Sequence, residues 1–451
     1  MKNNIKLFTI FLFGATVAFA DNEVFDGQDV SGKDFSSGSY ANSSWKGCIA
    51  TGTIFSSYDY SSSTLSYTNY TNADFSNANL TNADFNNAIL TNANFTGAIL
   101  IGAHFGSWDT PTNLSTVNFT NAKINGTGFK DSEGLSASQV ETTWSYKNKD
   151  FTDVAVHADI SSLDLTDFNI TGANFSSTNL RKEQLYSTAN YKNKNLSGVG
   201  FYTGNYSGWN FVGQNLQNTS WKLSNYDNAD VSFADLRGAH CDDPDPASKG
   251  IFITKNTIMD DGVIKDFSMK SASDSFSIRK FVAREYYPER VSAKISENDV
   301  SISGGAKLTL EQGASFEVAN GKTLTVASDG SMQIDADFSS STIFKIGSNS
   351  GLNFENGAIL TVNIVDDIAV SDTFIITVLS FEDDSRITSL DSFVKDETLF
   401  LTIKGEKFNG AWDYSINGNA LLISMQVPEP ATIAAIFGAL ALGLAVYRKR
   451  R

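Results

Sequence analysis

From Phe25 to Phe105 every fifth residue is large and apolar: in order Phe, Val, Phe, Tyr, Trp, Ala, Phe, Tyr, Leu, Tyr, Phe, Leu, Phe, Leu, Phe, Leu and Phe, with Ala50 the one small member. Between 73 and 103 the residue two earlier is always Ala, from Ala73 to Ala103. In extended backbone, residues two apart face the same way. Each five-residue unit therefore turns one small and one large side chain inward, and its other three positions, rich in Asn, Asp and Thr, turn a corner in water. A helix cannot meet this spacing, because its apolar stripe recurs at three and four. A regular turn every five residues winds the chain into a coil that buries its core between neighbouring turns.

The register slips after His104 and Phe105, where GSWDTPTNL replaces two units, and resumes one place out of step at Leu114, Phe119, Ile124 and Phe129. A second long block runs from Leu196 through Phe201, Tyr206, Phe211, Leu216, Trp221, Tyr226 and Val231 to Leu236, preceded by Ile160, Leu165, Ile170, Phe175 and Leu180. Two segments, GLSASQVETTWSYKNKDF (134 to 151) and NLRKEQLYSTANYKNKNL (179 to 196), match at an offset of 45 and share YKNK. Their first halves predict short helical insertions, 135–147 and 180–192, that interrupt the coil and restart it. Their Lys and Tyr residues are either a binding face or part of that re-entry, which the pattern favours.

CDDPDP (241 to 246) opens a connector, 241–295, with an irregular basic stretch over 263–290. Apolar pairs then recur at eight: Val300 and Ile302, Leu308 and Leu310, Phe316 and Val318, Leu324 and Val326, Met332 and Ile334, later Phe344 and Ile346, Leu352 and Phe354, Leu360 and Val362. The alternation marks short strands, and spacers such as SGGAK and ANGK mark turns. A triangular parallel β-helix or an antiparallel meander satisfies this period; its regularity favours the β-helix. Residues 373 to 425 read as antiparallel closing strands, with Asn417-Gly418 as a hairpin turn and Trp412 and Tyr414 packed within them.

The five-residue pattern over 25 to 236 resembles the pentapeptide-repeat family, A(D/N)LXX. The resemblance implies a right-handed quadrilateral β-helix with four units per coil. Residues twenty apart would then stack, with Phe35, Phe55, Phe75 and Phe95 in one column, Tyr40, Tyr60, Leu80 and Leu100 in another, and Asn and Asp in outer ladders. The eight-residue rungs are similar, in spacing and turn composition alone, to those of autotransporter passenger proteins.

Both ends read as addresses. MKNNIK, the apolar run LFTIFLFGATV and AFA before Asp21 form a signal peptide, 1–20, cleaved between Ala20 and Asp21. At the other end VPEP joins an apolar span, 431–447, to a basic cluster, the length of a short transmembrane helix. The positive-inside rule places that cluster in the cytoplasm and residues 21 to 427 outside. The tail, 427–451, resembles the PEP-CTERM sorting signals of Gram-negative bacteria through Pro428, Glu429 and Pro430, the span, and Arg448, Lys449, Arg450 and Arg451. That resemblance implies processing by a membrane-embedded exosortase and delivery to the cell surface or an exopolysaccharide matrix.

The balance of 34 Lys and Arg against 50 Asp and Glu, a net charge of −16, argues against nucleic acid as a partner. Cys48 and Cys241 form no disulfide framework or metal motif. His104, His157 and His240 stand alone, and no GxSxG, HExxH or phosphate-cradling loop is present. The pairs Asp260 with Asp261 and Asp366 with Asp367 sit in turn-like contexts, and adjacent acids on a strand face opposite ways. Residues 21 to 106 are acidic enough for DNA mimicry, but an exported protein does not meet DNA-processing enzymes. A Thr ladder for ice binding is short, since only Thr71 and Thr91 share a column.

The expectation is an all-β chain without cofactor or catalytic constellation. A pentapeptide β-helix occupies 21–133 and, with helical insertions, 134–240; a second β-solenoid or meander occupies 296–426; one C-terminal transmembrane helix follows. Signal peptidase, the export machinery, an exosortase and extracellular polysaccharide are the expected partners. The expected role is a structural or adhesive element of the cell surface or matrix, the alternative a polysaccharide-binding or carbohydrate-active β-helix.

Overall fold

The computed structural model describes residues 23–36, 40–55, 68–106, 111–241, 252–283, 291–336, 342–346, 350–365, 373–382, 386–388, 395, 397–408, 410–417 and 420–426. They form two compact units. One takes the described residues to Asn205 with Ser220–Asn225, the other Tyr206–Thr219 with those from Tyr226 onward. Among the described residues strands predominate, with four short helices.

In the first unit each five-residue element closes on its own backbone. The N–H of Ala73 donates to the carbonyl of Tyr70 at 3.0 Å, Ala78 to Phe75 at 3.1 Å and Ala83 to Leu80 at 3.0 Å. The third residue of each turn has positive φ: Asn72 at 58°, Asn77 at 58° and Asn82 at 57°. Turns of the type II kind demand this, and Asn and Gly meet the demand at least cost. Where an Asp or Asn precedes the large residue it accepts the N–H two positions on, as Asn69 does from Thr71 (2.9 Å) and Asp74 from Ser76 (3.0 Å). The polar letters are thus the turn chemistry of the coil.

Successive coils pair in parallel, Asp74 with Asn94, Asn79 with Ile99 and Asp84 with His104, twenty residues or four units per coil. The preceding step is longer. Ser44 pairs with Asp74, Ile49 with Asn79 and Ile54 with Asp84, thirty residues apart, the extra ten falling between Phe55 and Thr68. The expected columns are therefore corrected. Phe35, Phe55, Phe85, Phe105 and Phe129 stack in one, at centroid spacings of 5.8, 4.7, 5.1 and 5.5 Å. Phe25, Trp45, Phe75, Phe95 and Phe119 form a second, and Tyr40 stacks on Tyr70 rather than on Tyr60, which lies outside the described residues. Ten residues are two whole units, so the five-residue register survives while each column shifts by half a coil. Each stacked ring pair adds about 0.5–1.5 kcal/mol to the burial of its area. The expected polar ladders are present: Asn92 donates to Asn72 (3.1 Å) and Asn72 to Asn42 (3.0 Å).

The helices are α1 (Ala137–Thr142), α2 (Trp144–Lys147), α3 (Lys182–Ser187) and α4 (Ala189–Lys192). They do not interrupt the coil; they replace one of its sides. Asn121 N–H donates to the Thr142 carbonyl and Trp144 N–H to that of Ala122, and Asp167 with Ser187 and Ala189 with Phe168 repeat the pattern. Because helical backbone satisfies itself, side chains complete the neighbouring turn. The Gln139 amide donates to the carbonyls of Leu114 (2.7 Å) and Val117 (2.8 Å), and the buried Gln184 to those of Ile160 and Leu163, both at 2.8 Å.

In the second unit, Asn210 pairs with Asp230 and Asn215 with Asp235 at the same twenty-residue step. Strand Phe252–Ile253 then pairs in parallel with Ala229–Asp230. From there the architecture becomes three parallel sheets. One stacks Ser275–Ile278, Lys307–Leu310, Ser331–Ala336, Ile359–Ile364 and Leu399–Ile403; the second Ala293–Ile295, Ser315–Val318, Thr342–Ile346 and Thr373–Glu382; the third Val300–Ile302, Thr323–Val326, Gly351–Phe354 and Arg386–Thr388. Every third strand stacks, so the eight-residue period builds a parallel β-helix and not a meander. Its core is the inward alternation, including Leu308, Met332, Leu360 and Leu399.

Three expectations change here. The connector contains strands, and Ser275–Ile278 already belongs to the first parallel sheet; the fourteen residues before Ala293 hide its period. Leu399–Ile403 is a further parallel rung, and the antiparallel closure is made by Glu406–Lys407 on that rung and by Ala420–Gln426, which pairs with Thr373–Glu382 and Ala411–Asn417. Asn417 pairs with Ala420 and so ends its strand instead of lying in the turn. Trp412 is buried and Tyr414 half-buried against the core, as the sequence suggests.

Candidate functional site

The sorting residues Pro428, Glu429, Pro430, Arg448, Lys449, Arg450 and Arg451, the cleavage pair Ala20 and Asp21, and the span 431–447 all lie outside the described residues. No helix among the described residues is long and apolar enough to cross a membrane. Asp366 and Asp367 also lie outside them.

The lone histidines are not brought together. His104 pairs by backbone with Asp84 and Gly128 on the coil wall, the His157 ring lies 3.2 Å from the Ser132 carbonyl, and the His240 N–H meets the Thr219 carbonyl. No cluster of three or more His, Cys, Asp or Glu among the described residues could hold a metal ion. Cys48 is buried at an Ala position of the coil, where burial pushes its thiol up to about 11. Asp261 accepts the Val263 N–H at 2.8 Å and serves a turn.

The two YKNK motifs are largely absorbed by the coil. Lys147 donates to Asn121 at 2.7 Å and Lys192 to Asp167 at 2.6 Å. Tyr146 joins the Asp164 backbone through its hydroxyl, and Tyr191 stacks on Tyr186 at 4.4 Å. Thr143 and Thr188 cap α2 and α4. These bonds make the motifs the re-entry device that lets a helical side rejoin a β coil.

Two features of the second unit escape sequence reasoning. One is a fully buried ion pair, Arg237 with Asp235, at 2.6 and 3.0 Å. The Arg237 guanidinium also reaches the carbonyls of Arg279 (2.7 Å) and Val291 (3.0 Å), and the Gln217 amide reaches Asp235 (2.8 Å) and the Lys280 carbonyl (3.1 Å). Arg279, Lys280 and Val291 are thereby tied to the last five-residue units. Beside them Phe233 takes a corner usually given to Asn or Gly, at φ 62°, and packs its ring on the β-helix core near Phe276. A bulky residue in that region is strained, and burial of the ring offsets the strain.

The other feature is a cleft of about 320 Å³ bounded by 264–270 and 295–301. These two stretches pair in parallel at Val263 with Lys294 and at Met269 with Ile302. Between those points the later stretch is two residues longer, and the wall opens there. Ile264 and Ile295 are buried and Phe267 and Val300 half-buried along it, while Asp266, Lys270, Glu297 and Asp299 are exposed. Glu297 is held by Lys265 at 2.6 Å, Asp299 by the Thr323 N–H at 2.8 Å, and Asp266 by the Thr254 hydroxyl. The cleft can present oriented acceptors beside an apolar strip. Its carboxylates come from segments some thirty residues apart, and no local pattern in the sequence joins them.

Eight copies of the pentapeptide-repeat family model match residues 61–106, so the chain carries pentapeptide repeats. Among solved structures it is similar to HetL, a pentapeptide repeat protein involved in heterocyst differentiation regulation from the cyanobacterium Nostoc. The identity is 19%, the match covers 54% of this chain and 92% of HetL, and the TM-score is 0.21. No curated protein matches.

Proposed function

We propose that this is an exported surface protein, tethered through its C-terminal span, sorted by an exosortase, and serving as a structural or adhesive element of the cell surface or an exopolysaccharide matrix. The observation that carries this reading is the order of the tail: Pro428, Glu429 and Pro430, one apolar run, then Arg448 to Arg451. A right-handed, four-sided coil, the form expected of pentapeptide repeats, belongs to the same reading. The fold supports it in one respect. Outward Asn and Asp are spent on turns and ladders, so the repeating wall itself is what the protein offers to its surroundings.

Mass spectrometry of outer-surface material tests the sorting. The expected product begins at Asp21 and has lost the basic tail; an intact terminus ending at Arg451 on that material refutes exosortase processing. A carbohydrate-active enzyme is the second reading, favoured by the carboxylates of the cleft. Turnover in a polysaccharide panel that disappears in Glu297→Gln would establish it in place of the structural role.

A further inference from the structure

We propose that the cleft between 264–270 and 295–301 binds one or two neutral or amino-sugar rings of a polysaccharide. The opening is built into the ladder: the pairings of Val263 with Lys294 and Met269 with Ile302 fix both of its ends, so no rearrangement is needed to admit a ligand. Its volume of about 320 Å³ is at the small end for ligand sites, enough for a short saccharide segment and too little for a folded partner.

The chemistry of the lining selects within that size. Phe267 and Val300 provide an apolar strip for the C–H face of a sugar ring, beside carboxylates that only accept hydrogen bonds. Glu297 and Asp299 are each oriented by one partner, Lys265 and the Thr323 N–H, and a carboxylate has about four lone-pair sites. What completes them is a ligand rich in donors, hydroxyl or ammonium, on an apolar frame. Asp266, Glu297 and Asp299 line the opening with Lys270, while Lys265 is engaged by the Glu297 carboxylate and Lys322 by its carbonyl, so uronates, sulfated sugars and phosphates meet mostly acceptors. A bare cation is disfavoured because these carboxylates do not cluster as metal ligands.

The site deepens the surface-element reading by naming what the wall would hold, yet it does not depend on export or sorting. Binding in solution and processing in cells can fail separately.

The test is calorimetric titration of the full-length protein, purified in mild detergent, with four probes: a glucosamine hexamer, a cellulose hexamer, an oligoguluronate and a lysine-rich peptide. Either of the first two should bind, with affinity about tenfold lower or worse in Phe267→Ala and in Asp299→Asn. Asp266→Asn, at an exposed rim position, keeps the test interpretable should Phe267→Ala fail to fold. Absence of binding by both neutral and amino sugars overturns the proposal. So does oligoguluronate binding that equals theirs, or peptide binding that the same variants abolish.

Discussion

Arg237→Met should release Arg279 and Val291 from the last five-residue units while leaving distant coils intact. In the native protein the guanidinium is fully buried, donates to both Asp235 oxygens and caps the carbonyls of Arg279 and Val291. Removing it strands a buried carboxylate with Gln217 as its remaining side-chain donor, and leaves two carbonyls short of a donor. Breaking a buried pair from one side costs about 3–5 kcal/mol, and an orphaned carbonyl about 1–3 kcal/mol. These overlap, so about 4 kcal/mol is a fair expectation. It corresponds to roughly a thousandfold increase in local opening. Amide exchange followed by mass spectrometry reads this directly in peptides spanning 213–219 and 279–283. In a solenoid, stability is close to a sum of neighbouring terms, so peptides from 71–105 should change little. A second variant checks the cause: Asp235→Leu combined with Arg237→Met removes the stranded charge and should exchange more slowly than Arg237→Met alone. Less than about a tenfold change at 213–219 and 279–283, or an equal change at 71–105, would refute the reasoning.

Other consequences are equally direct. Gln184→Ala leaves the Leu163 carbonyl without its donor at 2.8 Å, while that of Ile160 keeps the Leu163 N–H, and should destabilise the coil by about 1–3 kcal/mol; Gln184→Glu, which keeps the shape but lacks the donor, should be no better in a urea melt. Deleting residues 57–66 shortens the interval from Ile54 to Asp84 to the twenty residues of its neighbours, so circular dichroism and melting temperature should stay close to native, and loss of the fold would show that the ten residues are required. Cys48, buried with its thiol pushed up to about 11, should resist iodoacetamide at neutral pH until the protein is denatured; rapid native labelling contradicts its placement. Asp274 is held below the ordinary carboxylate range by Lys255, at 2.6 Å, and by the N–H groups of Lys270 and Ser271. A depressed folded value means stability present above the unfolded value and lost as pH falls through the folded one. Exchange in 269–275 should therefore rise on acidification below the usual carboxylate range, and less so in Lys255→Met.

The sequence by itself determined everything that closes within a few residues. The inward Ala and Phe or Leu, the Asn and Asp corners, and the sites of the two helical pairs were legible because each unit makes its own turn. Ala73 returns to Tyr70, and Asp74 to Ser76. Only the tertiary structure decided which units lie on top of one another. A spacing of five is blind to an insertion of ten, so Phe55 meets Phe85 and not Phe75 in its column, and nothing local records the shift. The same limit left the eight-residue period undecided between meander and β-helix until Leu308, Met332 and Leu360 aligned in parallel. Arg237 and Asp235 belong to no motif, and their burial comes with contacts to Arg279, Lys280 and Val291, more than forty residues on. The cleft is equally non-local, since it exists because one strand of a stacked pair is longer than the other between two fixed bridges. Local turns are encoded by residue type, whereas stacking is a choice among long-range partners that the same residue types leave open.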